Sequence, residues 1–222
     1  MIEFFIRPLS TYAGDIDQVI TIIGVLTGFW WALTQGMFFW LMWRYRAKEG
    51  VRGQYVTGKE KPLKRWINWP HYLIIFCDFI IIAAGVRVWY NVKQDLPEAD
   101  MTIRVVSQQW AWSFVHPGPD GELDTEDDIK TVDDLNLVVG KTYHWKLESR
   151  DVLHSFSIPV FRLKQDAIPG REITGWFKPT KTGTYDIQCA EMCGIGHGIM
   201  NARIVIRSPE DHAAWVAANT TN

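Results

Sequence analysis

Two thiols, an imidazole and a thioether fall within one short stretch of this chain, Cys189-Ala190-Glu191-Met192-Cys193-Gly194-Ile195-Gly196-His197-Gly198-Ile199-Met200. Thiolate and thioether sulfurs are soft donors, and with imidazole they suit copper better than calcium, magnesium or manganese. The glycines at 194, 196 and 198 allow the tight backbone that a ligand loop needs to fold back on an ion. No packing demand calls for Cys and Met at these offsets in a glycine-rich segment. The stretch is a candidate metal loop.

Two other chemistries compete. A Cys189–Cys193 disulfide is permitted in an oxidising compartment, but it gives no reason for His197 or Met200. Zinc also takes Cys and His, yet the thioether and the lack of paired C-x-x-C spacing count against it. A Cys2His2Met donor set needs one more imidazole. His154, in Asp151-Val152-Leu153-His154-Ser155-Phe156 at the start of an extended run, is the candidate supplier.

Three segments, Asp151-Val152-Leu153-His154-Ser155, Leu163-Lys164-Gln165-Asp166-Ala167-Ile168-Pro169-Gly170-Arg171 and the loop itself, resemble the copper domain of subunit II of the haem-copper cytochrome c oxidases. That domain carries the dinuclear CuA centre. The resemblance implies that Cys189 and Cys193 bridge two coppers, that His154 and His197 each cap one, and that Met200 and the Glu191 carbonyl are weak axial donors. It also implies that the Glu191 side chain holds Mg²⁺ together with subunit I. Trp110, in Gln109-Trp110-Ala111-Trp112, would receive the electron from cytochrome c, while Trp112 is expected in the core. Ala111 stands where relatives often carry Tyr, which thins that aromatic cluster. Asp151 and Asp166 match positions near the donor-facing and subunit-facing surfaces, although a turn-capping role fits Asp151 equally.

The implied partners are subunit I, which holds haem and reduces O2 to water with proton pumping, subunit III, a cytochrome c donor and membrane lipid. No nucleic acid is implied. This sequence contains no C-x-x-C-H haem-attachment motif and no His-rich many-helix scaffold, so the donor haem and the oxygen chemistry belong to other chains. Three rival functions differ in what they require. A quinol oxidase subunit would lack the copper ligands, and nitrous oxide reductase would add a large catalytic domain. A membrane-anchored copper carrier or sensor would need neither Trp110 nor the Glu191 bridge.

The elements that must position these groups fall into two halves. Residues 1–95 contain two apolar runs, and residues 96–222 read as a polar, strand-rich domain. Val19 to Trp43 has no charged side chain and is long enough to span a bilayer. His71 to Tyr90 is the second span, interrupted by Asp78 and ending near Arg87. Met1 to Gln18 makes a poor signal peptide. Arg44, Arg46, Lys48, Arg52, Lys59, Lys61, Lys64 and Arg65 crowd the connection at 44–70. By the positive-inside rule this loop is cytoplasmic, and the copper domain lies on the opposite side. The expected location is a bacterial plasma membrane with the copper domain periplasmic; the mitochondrial inner membrane is the alternative.

A carboxylate within a span is costly and faces a protein partner or a polar path. Asp78 is read as hydrogen-bonding a neighbouring subunit, and Cys77 as a small apolar residue. Members of the resembled family often carry a Glu near the start of the second helix that serves a proton channel. Here that region reads Arg65-Trp66-Ile67-Asn68-Trp69-Pro70, without a carboxylate.

Beyond residue 96, strands are expected at 101–116, 134–139, 142–148, 154–162, 171–177, 183–188 and 202–207. Alternation is clear in Tyr143/Trp145/Leu147 and Ala202/Ile204/Ile206. The pattern predicts an all-β Greek-key sandwich, cupredoxin-like by the resemblance, with the metal loop joining the last two strands. Ser208-Pro209-Glu210-Asp211 opens a short helix. Between strands, the 117–134 connection gathers Asp120, Glu122, Asp124, Glu126, Asp127 and Asp128. Three readings of this acidic loop stand side by side: solvated, steering a basic cytochrome c, or a calcium site, although its spacing departs from an EF-hand. His71, His116, His144 and His212 have no ligand context.

Overall fold

The structure is a computed structural model of the chain and describes residues 6–53 and 55–220. It divides into two compact units: residues 18–88, and residues 6–17 together with 89–220.

Helix α1 spans Ala13–Arg44 and helix α2 spans Lys61–Trp89, and all but their outer ends make up the first unit. Both are long and apolar enough to cross a membrane. Thr27 sits among apolar residues because its hydroxyl donates back to the Ile23 carbonyl, 2.6 Å away. Helix α2 begins ten residues before the expected span, at Lys61, and carries Pro70 inside it. Pro70 removes a single backbone donor, a loss that long helices in membranes tolerate. Asp78 lies on this helix among exposed Phe and Ile side chains.

In the second unit, ten strands form two five-stranded sheets. One sheet has β1 (Met101–Gln108), β2 (Ala111–His116), β3 (Ile129–Val132), β5 (Tyr143–Ser149) and β8 (Ile173–Phe177), in the order β3-β2-β1-β5-β8. The other has β4 (Asp134–Val138), β6 (His154–Ile158), β7 (Leu163–Ala167), β9 (Gly183–Cys189) and β10 (Asn201–Arg207), in the order β4-β10-β9-β6-β7. Pairs β1/β5 and β4/β10 are parallel and the rest antiparallel. This is the expected all-β sandwich. The single strand expected over 101–116 is two strands joined by a tight turn at Gln109 and Trp110, with Gln108 opposite Ala111. Strands β3 and β7 fall in stretches too polar to show alternation.

The alternating residues do fill the core. Tyr143, Trp145 and Leu147 of β5 and Ala202, Ile204 and Ile206 of β10 are buried, against Trp112, Phe114, Phe156 and Phe177. Each such large side chain contributes about 1.5–3 kcal/mol on leaving water. Gly175 sits directly opposite Trp145 in the β5/β8 register, and a Cβ there would run into the Trp145 ring. Helix α3 (Pro209–Asn219) starts as expected, with the Ser208 hydroxyl accepting from the Asp211 N–H at 3.1 Å.

The segment before Gln18 is part of the sandwich unit. Leu9 N–H donates to the Val160 carbonyl at 2.7 Å, and Thr180 N–H donates to Leu9 at 2.9 Å. Leu9 and Tyr12 are buried in the core. Arg162, in the left-handed region at φ 56°, places Nε 2.7 Å and Nη2 2.9 Å from the Asp17 carboxylate. Both side chains of this pair are more than nine-tenths buried.

Candidate metal centre

Sheet pairing explains why residues far apart in sequence meet here. Strands β6 and β9 are neighbours with Phe156 opposite Cys189, so His154 at the start of β6 lies beside the end of β9. Strands β9 and β10 are antiparallel, and residues 190–200 connect them. The connection is held at both ends: Cys189 N–H donates to the Met200 carbonyl at 3.1 Å, and Ala190 N–H to Ser155 at 2.9 Å. Its second half coils into a single 3₁₀ turn, His197–Ile199, with Gly194 at φ +123°, a conformation that favours glycine.

The donors converge. The Cys189 and Cys193 sulfurs are 3.7 Å apart and both thiols are free. Cys189 Sγ lies 3.9 Å from His154 Nδ1, and Cys193 Sγ lies 3.8 Å from His197 Nδ1 and 3.7 Å from Met200 Sδ. Glu191 turns its carbonyl oxygen to within 3.3 Å of Cys189 Sγ. Donors bound at about 2.2 Å in a tetrahedral arrangement stand about 3.6 Å from one another, so these gaps are of the size an ion would bridge. Among the described residues, His154, Cys189 and Cys193 are the one group of His, Cys and carboxylate atoms within 4.8 Å of each other. Burial and the neighbouring Cys189 thiol push the Cys193 thiol up to about 11, so a metal must displace its proton. The donor set fits two soft, redox-active ions: three sulfurs, two ring nitrogens of one orientation and one carbonyl.

The outer partners were less visible in the sequence. His154 is fully buried, and its Nε2 lies 2.8 Å from Asp151 Oδ1. The other ring nitrogen, Nδ1, is thereby left facing sulfur. Burial would raise the Asp151 carboxyl, but N–H donors from Gln109 and Val152, with His154, outweigh it and hold the group below the ordinary carboxylate range. Gln109 links the two sheets: its N–H donates to Asp151 at 2.7 Å, and its side chain donates to the Cys193 carbonyl at 2.7 Å. The signal for Asp151 was a carboxylate three residues before a ligand-type His; Gln109 gave none.

Trp110 is partly exposed at the β1–β2 turn, and its Nε1 lies 3.4 Å from the same Cys193 carbonyl. Trp112 is fully buried, its ring 6.2 Å from that of His154. Around Trp110 and the loop, Ile195, Ile199, Met192 and Leu153 are exposed. Several of the acidic loop's carboxylates are engaged within it or by Arg104. Asp128 accepts from Asp124 N–H, Asp127 from the Thr125 hydroxyl and Asp120 N–H, and Asp124 pairs with Arg104 at 2.8 Å. The loop leaves β2 after His116, whereas Trp110 precedes Ala111, so it starts about 17 Å along the strand from that turn.

Residues 101–208 match the family described as cytochrome C oxidase subunit II, periplasmic domain. The chain is also 31% identical to the alternative cytochrome c oxidase subunit 2 of Bradyrhizobium diazoefficiens, over 96% of this chain and 83% of that one. The chain belongs to the cytochrome c oxidase subunit 2 family. The cytochrome c oxidase subunit 2 of Thermostichus vulcanus is 42% identical over 61% of this chain, which covers 38% of that longer protein. Among solved structures, the periplasmic domain of subunit II of cytochrome oxidase from Bradyrhizobium japonicum matches with TM-score 0.50 and 30% identity, covering 56% of this chain and 96% of that one. Membership makes copper the family's metal, in keeping with the soft donor set above.

Proposed function

We propose that this chain is the electron-accepting subunit of a membrane-bound cytochrome c oxidase. The observation that carries the reading is the pair of free sulfurs 3.7 Å apart, each with its own imidazole nitrogen within 4 Å. Cys189, Cys193, His154, His197, Met200 and the Glu191 carbonyl would together hold two coppers. When bound, the copper pair supplies one-electron redox chemistry, with charge spread over both ions.

The chain's own residues do the positioning. Asp151 fixes the tautomer and direction of His154. Gln109 and Trp110 hold the Cys193 carbonyl from the opposite sheet, so an electron arriving at the half-exposed indole has a hydrogen-bonded connection to a sulfur ligand. A cytochrome c, or a domain of that kind, docks over this end. The electron then passes to haem in subunit I, where O2 is reduced to water and protons are pumped, with subunit III completing the assembly. The Glu191 side chain binds Mg²⁺ jointly with subunit I, carboxylate oxygen being suited to a hard cation. The acidic loop takes no calcium in this reading, since Asp120, Asp124 and Asp127 already accept from the loop itself or from Arg104 and the spacing departs from an EF-hand. Helices α1 and α2 anchor the copper domain on the periplasmic face of a bacterial plasma membrane.

The test is metal stoichiometry on the purified assembly. Two coppers per chain with a seven-line hyperfine pattern, reduced to at most one by Cys193→Ser, fit this reading. One copper in the native protein, exchangeable with solution copper, would instead identify a membrane carrier or sensor.

A further inference from the structure

The metal loop and the β1–β2 turn meet across a glycine. Gly196 lies between the fully exposed Ile195 and the part-buried His197, yet it is itself buried. The indole of Trp110 covers it. A Cβ placed on Gly196 would stand 2.4 Å from Trp110 Cδ2, 2.6 Å from Cγ and 2.8 Å from Cε3, the three nearest atoms beyond its chain neighbours. Its backbone, at φ −85° and ψ 9°, is one that other residues adopt in turns. The glycine is therefore required by the ring above it and not by its own conformation. The far edge of the indole reaches Gly194, whose Cβ position lies 3.3 Å from Cζ2 and Nε1. Between these two contacts, Nε1 points at the Cys193 carbonyl.

We propose that Gly196 is a positioning residue for electron transfer: its missing side chain lets the Trp110 indole lie flat on the metal loop, within hydrogen-bond reach of Cys193. This rests on the reading of Trp110 as the electron-accepting contact. One electron leaves the reduced haem of a c-type donor, which is oxidised, and reduces the bound copper pair by one. No bond is made or broken and no proton moves. A methyl group at 196 must lift the ring by about 1 Å to reach ordinary contact distance. That displacement opens the Nε1 contact with the Cys193 carbonyl, the indole's hydrogen-bonded link to the metal loop.

The experiment uses the assembled oxidase carrying Gly196→Ala, and the full chain in detergent labelled with 5-fluorotryptophan. The Trp110 fluorine resonance is assigned by its loss in Trp110→Phe. In the metal-free chain, Gly196→Ala should move that resonance toward its solvent-exposed position. In the assembled enzyme, copper content and the hyperfine pattern should stay those of the wild type. Electron uptake from a reduced c-type cytochrome should fall several-fold in kcat, with KM changed much less. Uptake from a small diffusible reductant should be unchanged. Should the Ala variant lose copper, Gly196→Ala/Trp110→Leu is examined: recovery of copper supports the proposal, because the methyl then meets no ring. An unmoved resonance, wild-type uptake from the cytochrome, or copper loss that the double variant does not repair would overturn it. A wild-type enzyme without a two-copper signature would overturn the underlying functional reading instead.

Discussion

Asp151 Oδ1 stands 2.8 Å from Nε2 of His154, and that contact decides which ring nitrogen faces the sulfurs. The carboxylate does this while also accepting from the N–H groups of Gln109 and Val152. It thus ties the ligand imidazole to the turn that carries Trp110. The orientation of the ligand imidazole and the turn that carries Trp110 are joined in a single side chain.

Replacing Asp151 by Ala should therefore weaken metal binding without removing a ligand. The expected loss in copper affinity is about 10–100-fold, the usual effect of deleting an outer partner of a ligating His. Competition titration against a chelator of known affinity measures it. An unchanged affinity would mean that the Trp112 ring alone holds His154 in place.

Asp17 and Arg162 form the buried ion pair of the sandwich unit. Asp17→Ala leaves the guanidinium, among the described residues, with the Pro159 and Ile6 carbonyls. Breaking one side of a buried pair costs about 3–5 kcal/mol, and these remaining acceptors place the effect at the lower end. The denaturation midpoint of the strand-rich unit, followed by near-ultraviolet circular dichroism, should drop accordingly. Asp17→Ala/Arg162→Met should recover part of it.

His116 is buried against Trp215 and beside the Thr131 hydroxyl, and burial with the neighbouring His212 lowers it to about 3. His212 is lowered too, by burial and by Arg207. A depressed histidine favours the fold while it is neutral, so its contribution is present above the unfolded value near 6.5 and is lost as pH falls below it. From pH 7 to pH 5 the His116 contribution should fall by about 2 kcal/mol. His116→Gln should flatten that slope in denaturant titrations run across the range.

The acidic loop starts about 17 Å along β2 from the Trp110 turn, roughly twice the Debye length at physiological salt. The indole lies against Gly194 and Gly196, which flank the exposed Ile195, and Asp151 is already committed to its three donors. Exchanging Asp120, Glu122 and Glu126 for Asn and Gln should change KM for a basic cytochrome c by less than about twofold at 0.15 M salt. A tenfold rise in KM would restore the steering role to the loop.

The donor set was legible because its chemistry is unusual: Cys, His and Met gathered in a glycine-rich stretch suit a soft metal and little else, and His154 stood beside a carboxylate in an extended run. The sandwich was legible wherever one face is buried, as in Tyr143/Trp145/Leu147. Strand β7, Leu163–Ala167, was not, since Lys164, Gln165 and Asp166 occupy its middle. The turn at Gln109 was hidden inside a continuous β-prone run with no Gly, Pro, Asn or Asp to mark it. Nor could local pattern show that Leu9 and Tyr12 fill a core built more than ninety residues later, because that contact depends on tertiary pairing.

Leu9, Ser10 and Tyr12 have a practical bearing on how the copper-holding half can be studied in isolation. A soluble fragment that starts after the second helix would lack those three side chains, leave the Phe161 carbonyl without its Ser10 donor and open a wetted notch over Phe161 and Phe177. Supplying residues 6–17 through a short flexible linker would restore the Ser10 donor and the Leu9 and Tyr12 side chains, so the discontinuous fragment should be the more stable of the two.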